Sequence, residues 1–158
     1  MRLFRPSILS LLLVAATVAG AAEVEFKRVW PGWRDAESFE RISEYFGRGE
    51  NPGREIIVRT QPSERAGYYF LVRVKSATAI PDARFEVQVV RPDSPDVKTF
   101  KFSATVPPKE NVFQLGLTGA DWPDGSDANP VAWKLSLHAA DGRVLAEHKS
   151  FLWEKPTK

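Results

Sequence analysis

The chain has 158 residues, with 22 Lys and Arg, 20 Asp and Glu, and no Cys. The absence of Cys excludes disulfides, thiolate metal sites and thiol catalysis. Two of the basic residues, Arg2 and Arg5, lie in a predicted signal peptide, so the mature chain would carry 20 basic and 20 acidic residues, a balance that argues against nucleic-acid binding.

The N-terminal segment, residues 1–22, has the composition of a cleavable signal peptide. Its two arginines precede an apolar run over residues 8–18, and small residues follow. Cleavage after Ala21 and cleavage after Ala22 both satisfy the small-x-small rule. The apolar run is shorter than the roughly 20 residues that a membrane span needs. The sequence therefore predicts a single domain over residues 23–158, exported to the periplasm or beyond and without a transmembrane anchor after cleavage.

One helix is predicted near residues 36–46, after a first strand. Asp35 is suited to the N-cap position and Gly47 to the position after the helix end. Helical spacing places apolar side chains on one face of this segment. These side chains are Phe39, Ile42 and Phe46, with Tyr45 beside them.

Period-two alternation dominates the chain after residue 54 and predicts strands with one face on a core. Prolines fall between the predicted strands, as expected for a residue without a backbone N–H. Many short strands with Pro and Gly turns predict an all-β, antiparallel sandwich of about eight strands, here with one short inserted helix. The strands are expected at residues 24–30, 55–60, 68–75, 85–89, 98–103, 113–117, 131–138 and 144–152.

An Asp-Gly pair at 141–142 predicts that the last two strands form a hairpin. A two-residue loop would pair Ala140 with Arg143. A three-residue loop, with its glycine in the left-handed region, would pair Leu137 with Leu145, and we favour it because it matches two apolar residues. Either register mixes charged and apolar side chains on one face of the last strand, which a bulge or an edge strand with inward charges would explain.

The strand rhythm over residues 67–153 and the closing sequence ADGRVLAEHKSFLW resemble the immunoglobulin-like or fibronectin type III-like domains of exported bacterial proteins. The paired cysteines of antibody domains are absent, so the resemblance is architectural. It implies a sandwich of the kind found in adhesins, carbohydrate-binding modules, pilus chaperones and spacer domains, and it leaves the individual function open.

Three tryptophans, Trp30, Trp33 and Trp122, lie beside proline or glycine in predicted connections. Exposed Trp side chains would be suited to stacking on sugar rings or to binding a protein partner. The alternative is that these side chains plug the open ends of the sandwich. Trp133 and Trp153 are expected in the core, because they fall on predicted strands.

The loop over residues 121–130 gathers the carboxylates of Asp121, Asp124 and Asp127. Calcium sites need six to eight oxygen ligands, but the spacing here does not follow the EF-hand pattern. Asp, Asn, Gly and Pro are also the ordinary residues of turns. We therefore expect no metal and no cofactor, although these three aspartates are the residues that would bind a metal ion.

The two histidines, His138 and His148, fall on the predicted closing hairpin. In the three-residue-loop register, Lys134 rather than His138 lies opposite His148. Acid–base catalysis by a histidine needs a reacting partner, and the sequence places none beside either histidine. A solvated strand face is the expected role.

Together these features predict a non-enzymatic binding, interaction or structural module of the cell envelope, with an unidentified protein or glycan as partner. A carbohydrate-binding module that uses Trp30, Trp33 and Trp122 is the alternative. A third hypothesis is a hydrolase that uses the acidic loop at residues 121–129.

Overall fold

A computed structural model describes residues 23–39, 55–123 and 125–153. Short 3-10 turns lie at Ala36–Phe39 and Gly119–Asp121. No helix in these ranges is long and apolar enough to cross a membrane. The strands are β1 (Val24–Arg34), β2 (Glu55–Arg59), β3 (Gly67–Ser76), β4 (Ile80–Arg91), β5 (Ser94–Val106), β6 (Lys109–Thr118), β7 (Ala132–His138) and β8 (Val144–Lys149).

The eight strands form two four-stranded sheets, which confirms the predicted strand number. Sheet A has the order β1-β3-β6-β2, and sheet B has the order β5-β4-β7-β8. One pairing departs from the predicted antiparallel arrangement, because β2 runs parallel to β6. The neighbours within sheet B are all antiparallel.

The core lies between the sheets and is filled by alternate side chains from both of them. Phe70 and Phe113 enter it from sheet A, and Phe85 and Leu135 enter it from sheet B. The rings of Phe85 and Phe113 meet across the interior with their centroids 4.8 Å apart. The predicted alternation of apolar and polar side chains thus produces a sandwich-like arrangement with one dry layer.

Only the beginning of the predicted helix falls within the described residues. There the chain forms the 3-10 turn Ala36–Phe39. The remainder of that prediction, residues 40–46, lies outside them, as do the predicted signal peptide and both predicted cleavage sites. Phe39 is buried, with its ring centroid 4.8 Å from that of Tyr69 on β3.

Three prolines that were expected in connections lie within strands, because the strands extend further than the alternation indicates. Pro31 and Pro95 lie in β1 and β5, which are edge strands. Pro81 lies in β4, where the register shifts between Ile80 and Ala83. Edges and register shifts are the places where a sheet tolerates a residue that cannot donate a ladder hydrogen bond.

The closing hairpin has the predicted three-residue loop. The Ala139 N–H donates to the Arg143 carbonyl over 2.9 Å, and Gly142 has a φ of 87°. A left-handed residue at this point of the loop is typical of three-residue hairpins. The choice between the two predicted loop lengths is therefore resolved in favour of the longer loop.

The expected pairing of Leu137 with Leu145 is wrong. Leu137 pairs with Ala146, while His138 pairs with Val144, so Leu145 is an extra residue on β8. This is the geometry of a β-bulge, one of the two explanations offered for the mixed face of the last strand.

The bulge also changes the partner of His148, which is Leu135 rather than the expected Lys134. The last strand ends at Lys149, earlier than predicted, because residues 151–153 form a turn in which the Trp153 N–H donates to the Ser150 carbonyl over 3.1 Å. Trp153 is half-buried beyond the strand, whereas Trp133 lies in the core as predicted.

Candidate binding surface

Trp30 and Trp33 lie on β1 rather than in a connection, and they point to opposite faces of sheet A. Trp33 pairs with Tyr68 and packs against the core, and its indole N–H donates to the Asp35 carboxylate over 2.8 Å. Trp30 pairs with Leu71 and points to the outer face. Successive side chains of a strand alternate between faces, so residues three positions apart cannot share one.

Trp122 is buried at one end of the sandwich, where it is only 3 % exposed. Its ring centroid lies 4.6 Å from that of Tyr68, and its indole N–H donates to the Gly125 carbonyl over 3.2 Å. The Tyr68 hydroxyl donates to the Asn129 side-chain oxygen over 3.2 Å, and burial raises the pKa of Tyr68. Trp33 and Trp122 thus gather around Tyr68, and sheet A separates them from Trp30.

Trp30 lies against two arginines on the outer face of sheet A. The guanidinium carbon of Arg28 is 4.2 Å from the centroid of the indole ring, and that of Arg73 is 5.6 Å from it. Arg28 and Arg73 are direct partners across the β1–β3 pair. Both guanidinium groups lie within the range of a cation–π interaction with one ring.

These arginines have little internal compensation for their charge. Among the described residues, no carboxylate lies within ion-pair distance of Arg28 or of Arg34, which follows on the same face of β1. Arg73 has one partner, Glu110, at 3.4 Å, and its side chain is 44 % exposed. Among the described residues, the charges of Arg28 and Arg34 are therefore not balanced by an ion pair on this part of the outer face.

Gly32 leaves a gap in the same row, between Trp30 and Arg34. A Cβ placed on Gly32 would meet no atom within 4 Å. We call the row formed by Arg28, Trp30, Gly32 and Arg34, together with Arg73 beside it, the β1 strip. It combines guanidinium groups, an indole ring and a bare segment of backbone on the outer face of sheet A, where Arg28 and Arg73 are exposed and the other members are partly buried.

Two of the three candidate metal-binding aspartates, Asp121 and Asp127, lie within the described residues, and each accepts a hydrogen bond from a neighbouring side chain. The Asp121 carboxylate accepts a hydrogen bond from the Gln61 amide over 3.1 Å, and the Asp127 carboxylate accepts one from the Ser126 hydroxyl over 3.4 Å. Asp124 lies outside the described residues. Within residues 23–39, 55–123 and 125–153, no three His, Asp or Glu side chains are grouped as metal ligands.

His138 has a serine partner that the sequence analysis missed. The Ser136 Oγ lies 2.9 Å from His138 Nε2, and His138 Nδ1 lies 3.2 Å from the Gly142 carbonyl. Because a carbonyl only accepts, Nδ1 carries a proton in this contact, and in the neutral ring Nε2 would be the acceptor for the serine hydroxyl. This resembles the arrangement of a nucleophile and its base. However, Ser136 is only 4 % exposed, so its hydroxyl is closed to a substrate.

The signal that could have revealed the Ser136–His138 pair is their spacing of two on one strand, which places both side chains on the same face. No comparable signal existed for the pairing of Arg28 with Arg73, because it depends on which strands become neighbours.

No known protein-family model matches the chain. A search of curated proteins finds no match either. The geometry of the β1 strip is therefore the basis for assigning a function.

Proposed function

We propose that the chain is an exported, non-catalytic binding module of the cell envelope, and that the β1 strip is its binding surface. The observation that carries this proposal is the placement of Arg28 and Arg73 directly opposite each other around the half-buried indole of Trp30. Arg and Trp are the residue types most enriched where binding energy concentrates in interfaces.

The placement of these two arginines opposite each other does not favour the stability of the isolated fold. Like charges directly opposite each other on neighbouring strands are destabilising. Stacking on the Trp30 ring recovers part of that cost and holds both guanidinium groups in fixed orientations. An incoming negative group would neutralise the pair, so the arrangement is suited to a ligand rather than to the isolated fold.

The strand order supports an immunoglobulin-like or fibronectin type III-like sandwich. In such folds strands A, B and E share one sheet, and strands C, F and G share the other. With β1, β3 and β6 taken as A, B and E, and with β4, β7 and β8 taken as C, F and G, the observed orders agree with this plan. The fifth strand then occupies the position of a C′ strand beside C, and β2 is an addition at the edge of sheet A.

Export is supported by the composition of residues 1–22, which has the positive, apolar and small-residue zones of a signal peptide. A module delivered to the envelope would meet its partner there. The β1 strip is accessible for such contact because Arg28 and Arg73 are exposed and Gly32 has open space above it.

The experiment that tests this function is affinity capture from an envelope fraction of the native cell, with the processed protein immobilised. We expect one envelope component, protein or glycan, to be retained by the natural sequence and lost with Arg28→Ala and with Trp30→Ala. Arg143→Ala is the matched control, because Arg143 lies in the hairpin of sheet B and its contact with Asp141 is 4.0 Å long. Equal capture by all four proteins would contradict the proposal.

A carbohydrate-binding module for neutral sugars is the alternative function. It would depend on Trp30 alone among the three candidate tryptophans, since Trp122 is buried and Trp33 packs against the core. A glycan array separates the two cases. Retention of neutral saccharides that is lost with Trp30→Ala but unchanged by Arg28→Ala would favour the alternative.

A further inference from the structure

We infer that the ligand of the β1 strip is an anionic polysaccharide whose sugar rings carry carboxylates. This inference rests on the proposed function, because it names the ligand class of the same surface. It is argued from the charge, the spacing and the open space of the strip.

The charge of the strip calls for anionic groups such as carboxylates. Arg28 and Arg34 form no ion pair with any carboxylate of the described residues, and Arg73 has only an exposed one. A guanidinium group presents a planar fork of N–H donors that matches a carboxylate with two parallel hydrogen bonds. The indole of Trp30 orients the donors of Arg28, which lies 4.2 Å from the ring centroid.

The spacing of the strip calls for an extended ligand rather than a small ion. From the backbone of Arg28 to that of Arg34 the strand advances six residues, which is about 20 Å at the usual rise of a β-strand. The Arg28 guanidinium lies over the Trp30 ring and the Arg34 guanidinium lies 5.8 Å from the Phe39 ring centroid, with the bare backbone of Gly32 between Trp30 and Arg34. A polymer that repeats a flat ring and a charge would place its rings over the apolar positions and its carboxylates beside the arginines.

The open space at Gly32 favours a sugar ring over a peptide side chain. A Cβ at this position would touch nothing within 4 Å, so a flat group can approach the backbone there. Gly32 lies next to Trp30 on the same face, and the apolar C–H face of a sugar ring suits an aromatic neighbour. An acidic peptide offers carboxylates on flexible stems and has no ring to fill this gap.

The experiment measures binding of the processed protein to three defined polymers by calorimetry. Polygalacturonate supplies rings with carboxylates, dextran supplies rings without charge, and polyglutamate supplies charge without rings. We expect polygalacturonate to bind, to weaken as NaCl is raised, and to weaken at least about tenfold with Arg28→Ala. Gly32→Leu should weaken it comparably by filling the gap.

Two controls separate lost binding from lost folding. Gly32→Ala is expected to keep the thermal midpoint, because nothing lies within 4 Å of the new Cβ, and the midpoint of Gly32→Leu is measured beside it. Arg143→Ala removes an arginine from sheet B and should leave polygalacturonate binding unchanged. If Gly32→Leu unfolds the protein, the contrast between Arg28→Ala and Arg143→Ala still decides the result.

Each other outcome overturns the inference in a defined way. Polyglutamate binding as strong as polygalacturonate binding would show that charge alone is recognised. Dextran binding as strong as polygalacturonate binding would show that the carboxylates are not recognised. If no polymer binds but envelope capture still depends on the β1 strip, the ligand class is wrong and the proposed function stands. If neither depends on the strip, both proposals fail.

Discussion

The ring of Tyr69 on β3 occupies the space where a Cβ on Gly116 would lie. The two residues are direct partners across the β3–β6 pair, on the outer face of sheet A. Tyr69 is nonetheless fully buried, with Phe39 packed against its ring. Its hydroxyl donates to the Arg65 carbonyl and accepts from Arg59 Nε, both over 2.6 Å. A glycine in a sheet is here covered by an aromatic ring from the neighbouring strand.

This contact predicts that Gly116→Ala destabilises the protein. The new methyl group would force the Tyr69 ring to move, and the ring is held by two hydrogen bonds. We expect a loss of about 1–3 kcal/mol in the free energy of unfolding, as for other overpacked sites. Urea unfolding followed by fluorescence measures it.

The control for that substitution is a glycine on the other neighbouring strand of Tyr69. Gly32 on β1 is also a direct partner of Tyr69, yet its Cβ position is open. Gly32→Ala should leave stability unchanged or improve it slightly, because alanine restricts the unfolded chain more than glycine does. Equal destabilisation by both substitutions would contradict the account of the Tyr69 contact.

The different surroundings of Trp122 and Trp30 predict different costs of removal. Trp122→Ala should lower the free energy of unfolding by about 3–5 kcal/mol, since the ring is buried and stacks on Tyr68. Trp30→Ala should cost about 1 kcal/mol, since it removes a half-buried ring and its cation–π contacts. Chemical denaturation of both variants tests this order, and a reversed order would show that Trp30 is the structural residue.

The buried Tyr68 hydroxyl predicts a loss of stability in alkali. Burial raises its pKa above the ordinary value of about 10. Above pH ~10 the unfolded chain releases this proton while the folded protein keeps it, so the free energy of unfolding falls as pH rises towards the folded pKa, by up to about 1.4 kcal/mol per pH unit. Below pH ~10 this group contributes no pH dependence.

Tyr68→Phe tests that assignment, although it also removes the hydrogen bond to Asn129. The variant is expected to be somewhat less stable at pH 8, with a shallower decline between pH 10 and 11. The readout is the difference between the two stability curves, because other groups titrate in both proteins. Parallel curves across this range would refute the role of Tyr68.

The left-handed conformation of Gly142 predicts a further effect on stability. Its φ of 87° is unfavourable for any residue with a Cβ, so Gly142→Ala should cost about 1–2 kcal/mol. Gly142→Asn should cost less, because asparagine tolerates this region better. Thermal melts of the two variants measure the difference, and equal midpoints would argue against the three-residue loop.

Alternation along the sequence was enough to predict eight strands, because side chains such as Phe70 and Phe85 must face one interior. It was not enough to predict what covers the outer faces. Tyr69 and Gln114 fall on the polar side of their strands, yet both are buried. Gln114 is held there by a 2.7 Å hydrogen bond from its amide to the Glu55 carboxylate, a pairing that depends on the parallel approach of β2.

The register of the last hairpin and the candidate site show the same limit of prediction from local sequence patterns. The three-residue loop was favoured because it would match Leu137 with Leu145, and the structure has that loop without that match. The bulge at Leu145 depends on how β8 fits against its neighbour, which no local pattern encodes. Likewise, Trp30 could be identified as a candidate from its residue type. Its arginine neighbours could not, since Arg73 reaches it only through the β1–β3 pairing.

The two sheets differ in how far apart along the chain their partners lie. Sheet B contains two sequential hairpins, β4 with β5 and β7 with β8, which the longer-range β4–β7 pair joins, whereas every pair in sheet A joins distant segments, as when the parallel pair places Glu55 beside Val112. Contacts between distant segments form slowly, because the entropy of closing a long loop is lost before the contacts that compensate for it can form. We expect sheet B to assemble first and sheet A to be completed last. The β1 strip, which needs the long-range pairing of β1 with β3, would then exist only on molecules that have finished folding, and ligand retention would report maturation as well as affinity.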